Sequence, residues 1–197
     1  MSREDILSNI KKNVPVLTEL PIITYKDFNE VRDLKKLFIE NIEATGGKAI
    51  IAEDKNDAAL HIKDLFGEPG NVISLSEGIN ISTINPTEIS SAKEFDQLEL
   101  AILDAQFGVA ENGAVWVSEK NIYNRVIPFI TLHLVLVLNE EQIMENMHDA
   151  YEKLSSFEEG YGVFISGPSK TADIEQSLVI GAQGPLSTTI FLINQNN

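Results

Sequence analysis

Helix-type and strand-type hydrophobic patterns alternate along most of this chain. A helix is predicted to begin at Asp27, with Glu30 in its first turn, and to end in left-handed fashion at Gly46-Gly47. Apolar residues at helical spacing give this helix one buried stripe, which comprises Phe28, Val31, Leu34, Phe38 and Ile42.

Further helices are predicted at residues 57–66, 140–155 and 174–180, and short apolar strands at residues 49–52, 72–75, 132–138, 162–165 and 188–193. Strands that alternate with helices are typical of an α/β fold. We therefore expect a mostly parallel sheet that is flanked by helices on both faces.

The middle of the chain has a different pattern. Two apolar runs, at residues 100–110 and 114–117, are joined by Glu111-Asn112-Gly113. Asn-Gly is a strong hairpin signal because both residues tolerate a positive φ angle. We expect a β-hairpin here, with its antiparallel strands inserted into the otherwise parallel sheet.

The N-terminal residues predict a separate short helix. Ser2 and Asp5 have the spacing of a capping box, and the helix is expected to continue to about Lys12. An extended stretch follows at residues 15–21. We therefore assign residues 1–24 to an N-terminal helix and linker, and residues 25–197 to a single α/β domain.

Composition and charge limit the classes of partner. The chain is 43% hydrophobic and carries a formal net charge of −15. A strongly acidic chain is unsuited to nucleic acid or to an anionic membrane surface, since both require clustered Lys and Arg. The N-terminus lacks a basic-then-apolar signal pattern, and the longest apolar run, at residues 132–138, is too short to cross a bilayer. We expect a cytoplasmic protein without membrane insertion.

The chain contains no cysteine, which excludes disulfides, thiolate nucleophiles and iron–sulfur clusters bound by this chain. His61, His133 and His148 are far apart in sequence, and no two of them have the spacing of helical metal ligands. We therefore expect no metal and no cofactor on this chain.

Residues 166–175 form the segment with the clearest candidate for ligand binding. A strand at 162–165 is followed by Gly167-Pro168 and by Ser169, Lys170 and Thr171, which precede the predicted helix. Backbone N–H groups at a helix start attract anions, and Lys170 adds a positive charge. The alternative is a helix cap with nothing bound, in which Asp173 merely caps the loop or pairs with Lys170.

Three segments resemble the LUD domain, the family of lactate utilization protein C and its relatives. They are residues 107–113, 166–175 and 181–185, and the resemblance extends over about residues 25–195. It implies a fold like that of the ribose-5-phosphate isomerase, glucosamine-phosphate deaminase and CoA-transferase superfamily. It also implies a role in the oxidation of L-lactate to pyruvate, with iron–sulfur clusters on partner oxidoreductase subunits and a small anionic ligand on this chain. Association of this chain with further copies of itself, as a homo-oligomer, is an additional possibility.

The chain departs from the family pattern at several positions. Asn112 stands where the family commonly has Thr or Ser, and Lys170 stands at a variable position. Gln183 replaces a histidine, and glutamine can exchange hydrogen bonds but cannot act as an acid or base. A proline that the family has just before the strand histidine is displaced here to Pro128, ahead of His133. These changes suggest a divergent member with an altered ligand.

Glu111 is the candidate catalytic residue. A carboxylate at a strand turn, beside Gly113, has the chemistry of a general base or of a nucleophile. The Glu-Asn-Gly turn also resembles the turn that carries the nucleophilic glutamate of class I CoA-transferases. The alternative is that Glu111 is an ordinary exposed hairpin residue.

The remaining candidates carry weaker signals. Arg125 has the geometry to clamp a carboxylate, but a surface ion pair is the common role of such a residue. Gln183 and Gly184 belong either to a turn beside the last strand that a ligand can approach closely, or to a plain helix-to-strand turn. His133 is expected to be a hydrogen-bonded core histidine. We expect the loops near residues 111, 125, 170 and 183 to line one pocket at one edge of the sheet.

Three functions remain open at this point. The first is an LUD-type subunit that supports lactate oxidation by binding a small organic acid or its iron–sulfur partners. The second is a CoA-transferase-like or sugar-phosphate isomerase-like enzyme that uses Glu111. The third is a non-catalytic binding or regulatory module, which the replacement of the histidine by Gln183 favours.

Overall fold

The computed structural model describes residues 2–13, 33–89, 91–157, 160–174 and 177–194. The chain divides into two compact units, residues 1–31 and 32–197. The first unit contains helix α1 (Arg3–Lys12), which begins with the predicted capping box: the Ser2 side chain accepts from the Asp5 N–H, and the Asp5 carboxylate accepts from the Ser2 N–H. The predicted linker at residues 15–21 lies outside the described residues, so the domain boundary at residue 24 stays a prediction.

Helix α2 (Leu34–Ala44) begins after the N-cap Asp33 and ends before Gly46, whose φ angle is 84°. Phe38 and Ile42 of the predicted stripe are fully buried. The predicted helix start at Asp27, like the other predicted positions up to residue 32, falls outside the described part of the chain. The glycine-mediated end of the helix is confirmed.

Five strands form an entirely parallel sheet in the order β1-β11-β6-β3-β2. They are predominantly apolar and largely buried, as expected of a parallel sheet covered on both faces. Helix α3 (Lys55–Phe66) lies on one face and α2 belongs to the core cluster on the other. The strands are β1 (Lys48–Ala52), β2 (Val72–Ser74), β3 (Leu100–Asp104), β6 (His133–Asn139) and β11 (Ser187–Ile193).

The predicted hairpin is present, but it forms part of a second sheet and does not insert into the parallel one. Strands β4 (Phe107–Val109) and β5 (Ala114–Ser118) pair antiparallel. With β7 (Ile143–Met144) and β8 (Gly162–Ile165) they make a mixed sheet in the order β7-β4-β5-β8. The expected insertion was therefore wrong, because an apolar pattern shows that a strand is buried and does not name its neighbour.

The mixed sheet packs closely against the core of the parallel sheet at Gly108. A Cβ atom on this residue would lie 2.8 Å from Leu138 Cδ2 and 3.0 Å from Phe38 Cε2. Val115 and Val117 of β5 belong to the same core cluster as Leu138. The missing side chain thus allows the two layers to approach.

Two predicted helices are corrected by the structure. Residues 140–155 contain a 3-10 turn (Glu140–Gln142), strand β7 and the shorter helix α5 (Met147–Leu154), because Asn139 and Asn146 each cap a new element. In place of the helix predicted at residues 174–180, strands β9 (Lys170–Ile174) and β10 (Ser177–Ile180) pair antiparallel. Their sequences are rich in β-branched side chains, which favour strands.

The remaining elements connect these layers. Helix α4 (Ile127–Ile130) is a single turn that leads into β6, and its Pro128 is buried. Three further 3-10 turns span Pro86–Glu88, Ala92–Gln97 and Glu119–Asn121. In the described part of the chain, no helix is both long and apolar enough to cross a membrane.

Candidate functional site

The turn at residues 110–113 is held against the last turns of α2. Asn41 Nδ2 donates to the carbonyl oxygens of Ala110 (2.7 Å) and Glu111 (3.2 Å). Gly113 has a φ angle of 65°, and a Cβ atom there would lie 2.6 Å from the backbone nitrogen of Ile42. Glycine is therefore required both for the backbone conformation and for the contact with α2.

The candidate catalytic carboxylate of Glu111 is exposed, and it contacts a helix start. Its Oε2 accepts a hydrogen bond from the Met147 N–H at 2.9 Å, and Met147 is the first residue of α5. The first N–H groups of a helix have no partner within the helix, and a negative charge there is stabilised by the helix dipole. Glu111 thus has a structural partner at the position where the sequence suggested chemistry.

The segment at residues 166–168 meets the 110–113 turn at the end of α2. Ser166 Oγ donates to the carbonyl oxygen of Asn112 at 2.8 Å. Gly167 is buried with a φ angle of 75°, and a Cβ atom there would lie 2.7 Å from the Thr45 carbonyl oxygen. The first two motifs of the sequence are therefore in direct contact.

The predicted helix start after Thr171 is absent, since residues 170–174 form strand β9, and no helix N-terminus contributes to this loop. The backbone of Ser169 pairs with the turn that carries the third motif: its N–H donates to the Pro185 carbonyl (2.9 Å), and its carbonyl accepts from the Gly181 N–H (2.9 Å). A Cβ atom on Gly184 would lie 3.0 Å from Ser169 Cβ. The second and third motifs are therefore also in contact.

Lys170 and its neighbours lie in the β9–β10 hairpin. The Lys170 side chain is exposed, and its Cε lies 3.8 Å from the position of a Cβ atom on Gly46, just beyond the end of α2. A cation at a helix C-terminus is stabilised by the helix dipole, which gives Lys170 a role without a ligand. Thr171 pairs with Val179 across the hairpin, and Asp173 is part of β9.

Gln183 and Gly184 line a cavity of about 490 Å³ together with Glu99, Thr131 and Leu132. This cavity lies beside the amino ends of β3, β6 and β11, where Leu100, His133 and Ser187 are aligned across the sheet.

His133 lies at this edge and is hydrogen-bonded, as predicted: its Nδ1 is 2.7 Å from Ser187 Oγ. Its ring is tilted against the Phe66 ring, with 5.2 Å between the centroids. Burial lowers the pKa of His133, and the negative charge of Glu99 opposes part of that shift. The ring is therefore biased toward the neutral form.

Arg125 does not join the other motifs. Its Nη2 and Nε lie 2.5 and 3.2 Å from Glu119 Oε2. Glu119 follows the end of β5 at Ser118, whereas Gly113 precedes its start at Ala114. The expectation that all four loops share one pocket is therefore wrong for Arg125, and Glu111 and Lys170 do not line the cavity that Gln183 lines.

Sequence reasoning missed a polar cluster at the carboxyl edge of the parallel sheet. Lys55 Nζ lies 3.1 and 3.0 Å from the two carboxylate oxygens of Asp104, and Ser76 Oγ donates to Asp104 Oδ1 at 2.5 Å. Ligands of open α/β sheets bind outside this edge, so the location is significant. The sequence signal was Asp104, an aspartate at the carboxyl end of the buried strand β3. It was overlooked because residues 100–110 were interpreted as one apolar run. Over the described ranges, no group of three His, Asp or Glu residues has the geometry of a metal site.

The architecture is that of an α/β protein with a five-stranded parallel sheet and a second, mixed sheet, in which three sequence motifs meet near the end of α2. The chain belongs to the LUD domain family, whose model matches residues 88–193.

Relatives extend this similarity over nearly the whole chain. A protein named lactate utilization protein C from Shouchella clausii is 26% identical, with 96% of this chain and 83% of the relative covered. One of the same name from Geobacillus thermodenitrificans is 23% identical, with 98% and 80% covered. A DUF162 family protein from Deinococcus radiodurans has a similar solved structure, with a TM-score of 0.61 at 14% identity over 82% of this chain and 97% of that chain.

Proposed function

We propose that this protein supports the oxidation of L-lactate to pyruvate together with partner subunits that carry iron–sulfur clusters. The observation that carries the proposal is the near full-length similarity to proteins named lactate utilization protein C. The lack of cysteine is consistent with it, because the redox clusters would have to be on other chains. In this arrangement the chain binds a small organic acid, its partners or both.

The proposed binding surface consists of the three contacting motifs. Its members offer hydroxyls, one amide and the Lys170 ammonium group, which are suited to a small carboxylate. The surface comprises Gly113, Gly167, Ser169, Lys170, Thr171, Asp173, Gln183 and Gly184, with Glu111 as the candidate catalytic group. We also propose that the domain has a fold related to that of the ribose-5-phosphate isomerase and CoA-transferase superfamily.

A genetic test addresses this function directly. Deletion of the gene is expected to abolish growth on L-lactate, and wild-type protein should restore it. Affinity purification of the protein from the complemented strain should recover partner subunits that contain iron. Normal growth of the deletion strain, or a lack of any iron-containing partner, would remove the proposal.

One observation favours a second candidate, a non-catalytic binding or regulatory module. The Glu111 carboxylate already caps α5 through the Met147 N–H. The control variant is Glu152→Gln, on the exposed surface of α5. If Glu111→Gln restores growth on L-lactate as well as this control does, the non-catalytic module is supported. Loss of growth with Glu111→Gln alone would support a catalytic Glu111, including the CoA-transferase-like alternative.

A further inference from the structure

A separate cavity lies on the outer face of the mixed sheet. Its volume is about 340 Å³, and its walls are provided by Trp116, Leu154, Phe157 and Tyr161 together with two glycines. A Cβ atom on Gly162 would lie 2.1 Å from Trp116 Cζ2, so the indole ring rests directly on this glycine. Flat aromatic walls of this kind suit a flat apolar group.

The charge beside this cavity comes from Arg125. The guanidinium carbon lies 4.6 Å from the centroid of the Tyr161 ring, which is itself a wall of the cavity. The Arg125 side chain is 61% exposed, so it is accessible to an anion from solution. Arginine combines stacking on an aromatic ring with bidentate recognition of a carboxylate.

A carboxylate already occupies this location. Glu119 accepts from Arg125, and a Cβ atom on Gly160, which lines the cavity, would lie 3.3 Å from Glu119 Oε1. The pKa of Glu119 is lowered by the hydrogen bond from Arg125 first, and also by the backbone groups of Gly160 and Tyr161. Arg125 and these backbone groups therefore stabilise a carboxylate beside the cavity.

We propose that this cavity binds an aromatic carboxylic acid, with its ring between Trp116 and Phe157 and its carboxylate on Arg125 in place of Glu119. The cavity lies at the Ser118 end of β5, where Ser118 pairs with Gly162, and the LUD motifs lie at the Ala114 end. Binding here is thus independent of the proposed role in lactate oxidation.

Trp116 is the single tryptophan of the chain, so its fluorescence reports on this cavity directly. We would titrate the full chain with phenylacetate, with acetate as the acid without a ring and with 2-phenylethanol as the ring without a charge. Phenylacetate should change the fluorescence saturably, 2-phenylethanol should bind about 10-fold more weakly, and acetate should have no effect.

Three variants test the assigned roles by calorimetry. Arg125→Gln should weaken phenylacetate binding about 10-fold or more, since a charged hydrogen bond is lost. Glu119→Gln should strengthen binding, because the competing carboxylate is removed. Lys170→Gln should leave the phenylacetate affinity unchanged. Circular dichroism spectra should match those of the wild type throughout.

The proposal is overturned if no saturable signal occurs, or if phenylacetate and 2-phenylethanol bind equally well. It is also overturned if Lys170→Gln, and not Arg125→Gln, reduces the affinity, because the acid would then bind at the LUD motifs. A failure of this kind is distinct from a failure of the lactate proposal, which is judged by growth and by iron-containing partners.

Discussion

A central strand of the parallel sheet and an edge strand of the mixed sheet differ in how they are buried. Strand β6 of the parallel sheet is buried at every position except its ends, whereas every residue of β8 in the mixed sheet is half-buried. The parallel sheet is covered on both faces, and on the outer face of the mixed sheet Trp116 and Phe164 are half-buried beside the fully buried Phe107. The centre of the parallel sheet thus belongs to the core, and the surfaces available for ligands lie at the edges of the two sheets and in their loops.

The largest expected effect is a difference in the free energy of unfolding between variants of β6 and variants of β8. Leu136→Ala in β6 removes a fully buried side chain and should lower the free energy of unfolding by about 3 kcal/mol. Val163→Ala in β8 removes a half-buried one and should cost only about 1 kcal/mol. Urea unfolding measures both. Equal losses of the free energy of unfolding would contradict the described difference in burial between β6 and β8.

The next effect concerns the glycine that brings the mixed sheet onto α2. Gly113 and Gly67 have the same φ angle of 65°, but a Cβ atom on Gly67 would meet no atom within 4 Å. Gly67→Ala should therefore cost about 1–3 kcal/mol from backbone strain alone, because its ψ angle of −128° lies outside the left-handed helical region. Gly113→Ala should cost about 1–3 kcal/mol more because it also collides with Ile42. A similar loss for both variants in urea unfolding would contradict the described packing of this turn.

A smaller effect tests the contact between Glu111 and α5. Glu111→Gln weakens the electrostatic stabilisation of the helix start and should cost about 0.5 kcal/mol. Asn146→Ala removes the N-cap side chain of the same helix and should cost about 1 kcal/mol. Thermal unfolding of both variants provides the comparison. An unchanged melting temperature for Glu111→Gln would argue that its carboxylate does not cap α5.

The last prediction concerns pH and the amino edge of the parallel sheet. Because the folded protein lowers the pKa of His133 below its usual value of 6.5, the unfolded chain binds its proton more readily. The His133 contribution should therefore lower the free energy of unfolding as the pH falls through about 6.5, and it should vanish at higher pH. His133→Gln should show a weaker decline over this window than the wild type when unfolding is measured from pH 8 to pH 5. An identical decline would assign the pH dependence to other groups.

The sequence predicted the core elements well where one local signal decides the outcome. The capping box of α1 depends on two residues three positions apart, and the end of α2 depends on one glycine. The β4–β5 hairpin was predicted from Asn112-Gly113 for the same reason. Four strands of the parallel sheet, at residues 49–52, 72–75, 132–138 and 188–193, were recognised as apolar runs. The fifth, β3, was interpreted as part of a hairpin arm, and the strand predicted at 162–165 belongs to the mixed sheet.

The candidate site was less predictable, because it depends on which loops meet. Two of the three motifs are held against Asn41 of α2 and Thr45 just after it, and neither residue carries a signal of this role in the sequence. A helix was predicted at residues 174–180, but the chain there forms part of the paired strands β9 and β10. Arg125 was grouped with the motifs, although its ion pair holds it at the other end of β5.

The sequence by itself determined the α/β class, most of the buried strands and the three LUD motifs, because short-range periodicity and turn residues encode them. The tertiary structure decided that the hairpin belongs to a second sheet, that Glu111 caps α5 and that Arg125 stacks on Tyr161. These outcomes depend on contacts between residues far apart in the chain. A local pattern specifies which face of an element is buried, but only the packed fold selects the neighbour against which it is buried.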